Sequence, residues 1–193
     1  MGLPLRHAGP AGRRTFLIFR PTALAGVVIV ETEPHTDLRG SFERLWCSDE
    51  FARNGLMGSF VQSNLSRNEA AFTVRGLHYQ IAPSEEAKLV TVVSGRLLDV
   101  VVDLRDGSAT RNQVVTVELR ADAPSTTLLY IPPQCAHGFQ TLEANTTVLY
   151  CMTQAYEPKW QRAIHWRSSR LGIAWPRTDG VVISETDAAA PPL

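Results

Sequence analysis

The sequence has no surplus of either charge: Lys and Arg total 19, and so do Asp and Glu. Nucleic acid and anionic membranes are bound through excess positive charge, so neither is expected as the main partner, although a local basic pocket for a small anion is still open. Cysteine is scarce. Cys47, Cys135 and Cys151 make an odd number without CxxC spacing, which suggests neither a disulfide framework nor a zinc knuckle. Reduced thiols in a cytoplasmic protein are the simplest reading. No apolar run is long enough to span a bilayer. No repeat at solenoid period and no low-complexity linker divides the chain. The 193 residues, 44% hydrophobic and 20% charged, are enough for one ordinary globular domain with a sizeable core.

Residues 1–20 read as a loosely ordered extension, and residues 21–193 as a single domain. Two targeting patterns in the extension fail on detail. "MGLPLR" has Arg6 where a myristoylation start needs Ser or Thr. "GRRTFLIF" (12–19) has the paired arginines of an export signal, but the apolar stretch after it is β-branched and ends in acids, as a first strand would.

Strands are expected in "GVVIVE" (26–31), "SFVQSNLS", "FTVRGLHYQ", "KLVTVVSG", "RLLDVVVDLR", "QVVTVELR", "TTLLYIPP", "AHGFQTLE" and "TTVLYCMTQAY". They recur at close spacing with Gly, Asn, Asp or Pro between them, and no long helical pattern separates them. That favours an all-β antiparallel sandwich or barrel over an α/β fold. One short helix is expected at "SDEFARNG", with Ser48 as N-cap, Asp49 and Glu50 in its first turn and Gly55 as its stop. The Pro-rich tail from Arg170 reads as an irregular C-terminal arm.

Candidate chemistry lies on or beside these strands: Arg75, His78, Lys88, Asp103, His137 and Tyr150. Each has an ordinary alternative. Lys88 opens an apolar strand and could simply snorkel to its rim. Tyr150 could be a packed aromatic, and His137 could bond only to backbone. Yet "YIPPQCAHGF" places two prolines and Gly138 around His137, which suits a rigid turn presenting that side chain. A metal site needs three protein ligands as a rule. Gln80 stands two residues after His78, where a His-x-His pair would have its second histidine, so only His78 and His137 are available. For His78 the choices are packing residue, ligand or base.

"DLRGSF", "FVQSNLS", "RGLHYQ", "DVVVDLR", "IPPQCAHGFQTL", "LYCMTQAY" and "GIAWP" followed by "ISETD" occur in an order and spacing that resemble the dTDP-4-dehydrorhamnose 3,5-epimerase family. The resemblance covers residues 22–193. It implies a cupin-like jelly-roll barrel of antiparallel strands that forms a homodimer, with N-terminal strands exchanged between partners. It implies no metal and no organic cofactor. The substrate would be a nucleotide-linked 4-keto-6-deoxyhexose, epimerised at C3, C5 or both through an enolate. By motif position His78 resembles the base, Asp187 the carboxylate that fixes its tautomer, Tyr150 the acid on the far face, and Lys88 the charge beside the enolate oxygen. Arg75 and Arg39 resemble pyrophosphate contacts. Gln62, Asn64, His137 and Tyr156 would line the pocket.

If strands alternate strictly, His78 facing the cavity turns Arg75 away, so a bulge at Gly76 is expected. The sequence departs from the family pattern at two places. Arg44 holds a position that is acidic in many thymidine-specific members, with Glu43 one residue off, and an aromatic pair is reduced to Ala155 and Tyr156. Arg44 is therefore a candidate contact that leaves the nucleobase open. A single-position epimerase on a CDP- or GDP-sugar, a metal-dependent jelly-roll enzyme, and a silent sugar-nucleotide binder are the competing readings.

Overall fold

The computed structural model describes residues 16–193; most of the expected extension, with its paired arginines, lies outside the described residues. The elements in chain order are β1 (Leu17–Pro21), β2 (Val28–Thr32), β3 (His35–Asp37), β4 (Gly40–Phe42), α1 (Ser48–Arg53), β5 (Gln62–Asn68), β6 (Val74–Gln80), β7 (Lys88–Ser94), β8 (Arg96–Asp103), β9 (Val114–Arg120), β10 (Thr127–Ile131), β11 (Cys135–Thr141), β12 (Thr146–Met152), β13 (Gln161–Ala163) and α2 (Glu185–Ala188). A six-stranded sheet runs β1-β2-β10-β7-β12-β5. A five-stranded sheet runs β13-β6-β11-β8-β9. The strands pair antiparallel, and the two sheets face one another as a cupin-like jelly roll, the fold that the family resemblance implies and one of the antiparallel sandwiches or barrels that the strand spacing favours. Among the described residues no helix is long and apolar enough to cross a membrane.

Three apolar clusters explain the layering. Between the sheets, Val90, Val92 and Val148 from one meet Leu97, Val101, Leu119 and Phe139 from the other. On the outer face of the five-stranded sheet, Val74, Leu77, Val100 and Val102 are covered by Ile164, Trp166, Leu171 and Trp175 of the C-terminal arm. On the outer face of the six-stranded sheet, Leu89, Leu128 and Tyr130 pack beneath Phe51 of α1. Strand β8 therefore has buried apolar groups on both faces, which is why "LLDVVVD" reads as an unbroken run rather than an alternation. The arm is irregular, as expected, but it is docked: Trp175 Nε1 donates to the Trp166 carbonyl at 2.8 Å.

Two local expectations change. The first strand begins at Leu17, so the boundary drawn after residue 20 falls inside β1. Leu17 is buried in the α1-side cluster, and its N–H donates to Glu50 Oε2 at 2.9 Å; that partner is 33 residues away and leaves no local mark in the sequence. At α1 the N-cap is Cys47, not Ser48, and no side chain caps it. The Glu50 and Phe51 N–H groups bond instead to the Cys47 carbonyl. Gly55 ends the helix as expected, at φ +71°.

Among the described residues the β3–β4 hairpin pairs only with itself, and all six of its strand residues are exposed. It carries Leu38 and Phe42 into solvent.

Candidate active site

A cavity of about 460 Å³ lies between the sheets. From the six-stranded sheet it receives Gln62 and Asn64 of β5, Lys88 of β7, and Tyr150 and Met152 of β12; from the five-stranded sheet, Arg75 and His78 of β6 and His137 of β11. Strand parity accounts for one wall. Tyr150 is paired with Val90 and Asn64, so inward-facing rows of three strands run from apolar at Val90, Val92 and Val148 to polar at Lys88, Tyr150 and Asn64.

On the other wall parity is broken at Gly76. His137 pairs with His78, but Phe139 pairs with Arg75, so two residues of β6 oppose Gly138. This is the expected bulge, and it brings both Arg75 and His78 to the cavity. Only glycine fits: Gly76 has φ +107°, and a Cβ there would lie 2.7 Å from both Gly138 Cα and the His137 carbonyl oxygen. The bulge also releases the Gly76 N–H, which donates to Asp187 Oδ2 at 3.1 Å.

Asp187 arrives on α2 from the arm, 109 residues beyond His78 in sequence. Its Oδ1 is 2.6 Å from His78 Nε2, and it is 5% exposed. Burial alone would push this carboxyl up. The hydrogen bond and charge of His78, with the Gly76 N–H, outweigh burial and hold it below the usual carboxylate range. The expected His78–Asp187 pairing is therefore present, with Nδ1 as the imidazole nitrogen left for other work.

Across the cavity, burial pushes the Tyr150 phenol above its ordinary value, with the nearby Arg75 charge pulling it partly back. It is a neutral proton donor at neutral pH. Lys88 does not snorkel: it is 7% exposed, and its Nζ meets Glu86 Oε1 at 2.9 Å and the His78 carbonyl at 3.1 Å.

The other expected contacts divide into two groups. Arg75 Nε donates to Asn68 Oδ1 at 2.8 Å, and its guanidinium borders the cavity. Gln62 joins Asn64 to the loop after β12, since its Nε2 donates to Asn64 Oδ1 and its Oε1 accepts the Tyr156 N–H; all three residues line the cavity. Arg39 and Arg44 are not brought to it. Arg39, 89% exposed at its side chain, pairs with Asp37 on the free hairpin. Arg44 pairs with Glu50 of α1 at 2.5 Å. Glu43 turns the other way and is held by Thr32 and Thr126.

Two carboxylates bordering the site were not singled out from the sequence. Asp99, completely buried, stands 2.5 Å from His137 Nε2, so His137 is carboxylate-bound and not merely a backbone contact. Glu86 is the partner of Lys88. The only sequence signal for either is an acid within or beside a strongly apolar strand. Gln80 braces the β6 end, donating to the Ser84 carbonyl and accepting the Glu157 N–H. Cys135 is packing: burial pushes its thiol up to about 11. Among the described residues no group of three or more His, Cys, Asp or Glu side chains is arranged to hold a metal ion.

A family model described as dTDP-4-dehydrorhamnose 3,5-epimerase matches residues 21–193. A protein of that description from Sinorhizobium fredii is 35% identical over 177 residues, 92% of this chain and 90% of its own length. The crystal structure of an epimerase from Legionella pneumophila in complex with dTDP-4-keto-L-rhamnose superposes with a TM-score of 0.84 at 34% identity, covering 93% of each chain. A 3′-monoepimerase from Streptomyces bikiniensis in complex with dTDP-quinovose superposes with a TM-score of 0.82 at 29% identity, covering 89% of this chain and 86% of its own.

Proposed function

The chain belongs to the dTDP-4-dehydrorhamnose 3,5-epimerase family, and from that premise we propose that it inverts C3, C5 or both of a dTDP-linked 4-keto-6-deoxyhexose for deoxysugar biosynthesis. The observation that carries this reading is the placement of a carboxylate-bound histidine and a neutral phenol on opposite sheets of one cavity. Inversion beside a ketone needs a base on one face of the sugar and an acid on the other. His78 removes the proton through Nδ1, while Asp187 keeps Nε2 as the N–H and takes up the charge that the imidazole gains. The electrons move into the ketone, and Lys88 stands by the developing enolate oxygen. Tyr150 then delivers a proton to the opposite face of the same carbon. His137, aimed by Asp99, is a sugar contact.

The nucleotide half of the site follows from charge and exposure. Arg75, which borders the cavity together with Arg67, is suited to a pyrophosphate. Arg39 serves the same group in a second subunit. Among the described residues the β3–β4 hairpin has no apolar partner, and its Leu38 and Phe42 are exposed, so we assign it to the cavity mouth of a partner in a homodimer. The nucleobase contact is the part most open to variation here, because Arg44 is already engaged with Glu50. Free Cys47, Cys135 and Cys151 suit a reducing, cytoplasmic setting.

The test is incubation of dTDP-4-keto-6-deoxyglucose with the protein in D₂O. The reading predicts deuterium at each carbon that inverts, C3, C5 or both. Bound substrate without any label would overturn it. Label at one carbon alone identifies a single-position epimerase, a second reading favoured by the fold similarity to a 3′-monoepimerase.

A further inference from the structure

We propose that Glu86 is a positioning residue for the epimerisation, one that holds the Lys88 ammonium in place so that it is aimed at the substrate's ketone oxygen. The inference rests on the role given to Lys88 above. An ammonium has three donors and no acceptor. In Lys88 one goes to the His78 carbonyl at 3.1 Å, and the charge is paired with Glu86 Oε1 at 2.9 Å as an ion pair. No other Lys88 hydrogen bond is made among the described residues, and Lys88 borders the cavity. Lysine is a point charge on a flexible four-carbon stem. Two anchors convert it into a directed donor, and one of them is the main chain of the base itself.

Three features make Glu86 more than a surface counter-ion. Its side chain is 2% exposed and that of Lys88 9%, so the pair is shielded from water and each partner relies on the other. Glu86 Oε2 is buried and finds no hydrogen-bond partner. Burying a carboxylate with an unmet oxygen is destabilising, and such a local conflict is retained most often where function requires it. The backbone between the two residues is clamped: the Ala87 N–H donates to Thr153 Oγ1 at 2.8 Å, and the Thr153 N–H donates to the Ala87 carbonyl at 3.0 Å. Residues two apart in an extended segment share a face, so the clamp holds carboxylate and ammonium side by side.

The experiment is a double-mutant cycle read by the rate of deuterium entry from D₂O into dTDP-4-keto-6-deoxyglucose, with kcat and KM measured for Glu86→Gln, Lys88→Met and the double variant. Glu86→Gln keeps the side-chain shape and loses the charge. It is expected to lower kcat by roughly 10- to 100-fold, the scale of an angstrom-level misplacement, with KM within about threefold. In the Lys88→Met background the same change is expected to lower kcat no further, because Glu86 acts only through Lys88. A merely structural role would lower both backgrounds by the same factor, and that result overturns the inference. So does a Glu86→Gln enzyme with unchanged kcat when Lys88→Met is impaired. If Lys88→Met itself leaves kcat unchanged, the role given to Lys88 fails and the inference falls with it. Thermal unfolding of all four proteins separates a folding loss from a kinetic one.

Discussion

His78 is bonded through one ring nitrogen to a carboxylate from near the end of the chain, and its other nitrogen has no hydrogen-bond partner among the described residues. His78→Ala is expected to lower kcat by about 10²–10⁴-fold, the usual contribution of general acid–base assistance, while substrate binding, followed by calorimetry, stays close to wild type. Asp187 adds a stability signature. Its carboxyl is held below the ordinary range in the fold, so the ionised form is favoured by folding. That contribution is present above the unfolded value near 3.8 and is lost as pH falls through the lower folded value. The gap in unfolding temperature between the wild type and Asp187→Asn should therefore be widest near neutral pH and narrow below about pH 4, which a pair of thermal melts at pH 7 and pH 3 would check. Residue types on strands were legible in the sequence, since His78, Lys88 and Tyr150 could be found by motif and parity. Glu86 and Asp99 were not, because a buried acid reveals its role only through a partner, and the partner of Asp99 lies on another strand.

At the scale of elements the β6 bulge does two things at once. It turns Arg75 and His78 to the same side, and it frees a backbone N–H for Asp187. Gly76→Ala is expected to cost more stability than Gly107→Ala. Both positions have positive φ, a strained conformation worth of order 1–3 kcal/mol for a residue with a Cβ. Only at Gly76 would the new Cβ strike backbone, whereas at Gly107 nothing lies within 4 Å. Urea unfolding of the two variants compares them directly, and Gly76→Ala should also lose activity while Gly107→Ala keeps it. The bulge could be anticipated because Arg75 and His78 are three residues apart and both needed the cavity. The docked arm could not: its buried Trp166, Leu171 and Trp175 follow no period, so the sequence showed an irregular tail without showing what it covers.

For the whole molecule the strand spacing was enough to reach an antiparallel sandwich or barrel, because turn residues punctuate short apolar runs along most of the chain, and the family resemblance narrowed that to a jelly roll. The start of β1 was hidden, since its pairing and its Glu50 contact are remote in sequence. In the proposed homodimer the hairpin that carries Arg39 would tie activity to assembly. Arg39→Ala should raise KM by roughly 10-fold or more, the scale of losing a hydrogen bond to a charged group, with kcat little changed, and the wild type should sediment as a dimer. The central claim is that His78 and Tyr150 serve opposite faces of one carbon, and it is tested most directly by Tyr150→Phe acting on dTDP-4-keto-6-deoxyglucose in D₂O. With the far-face donor gone and the base intact, the prediction is deuterium at the reacting carbon with its configuration retained, and inverted product reduced by at least about 100-fold. Inversion by Tyr150→Phe at the wild-type rate would contradict it.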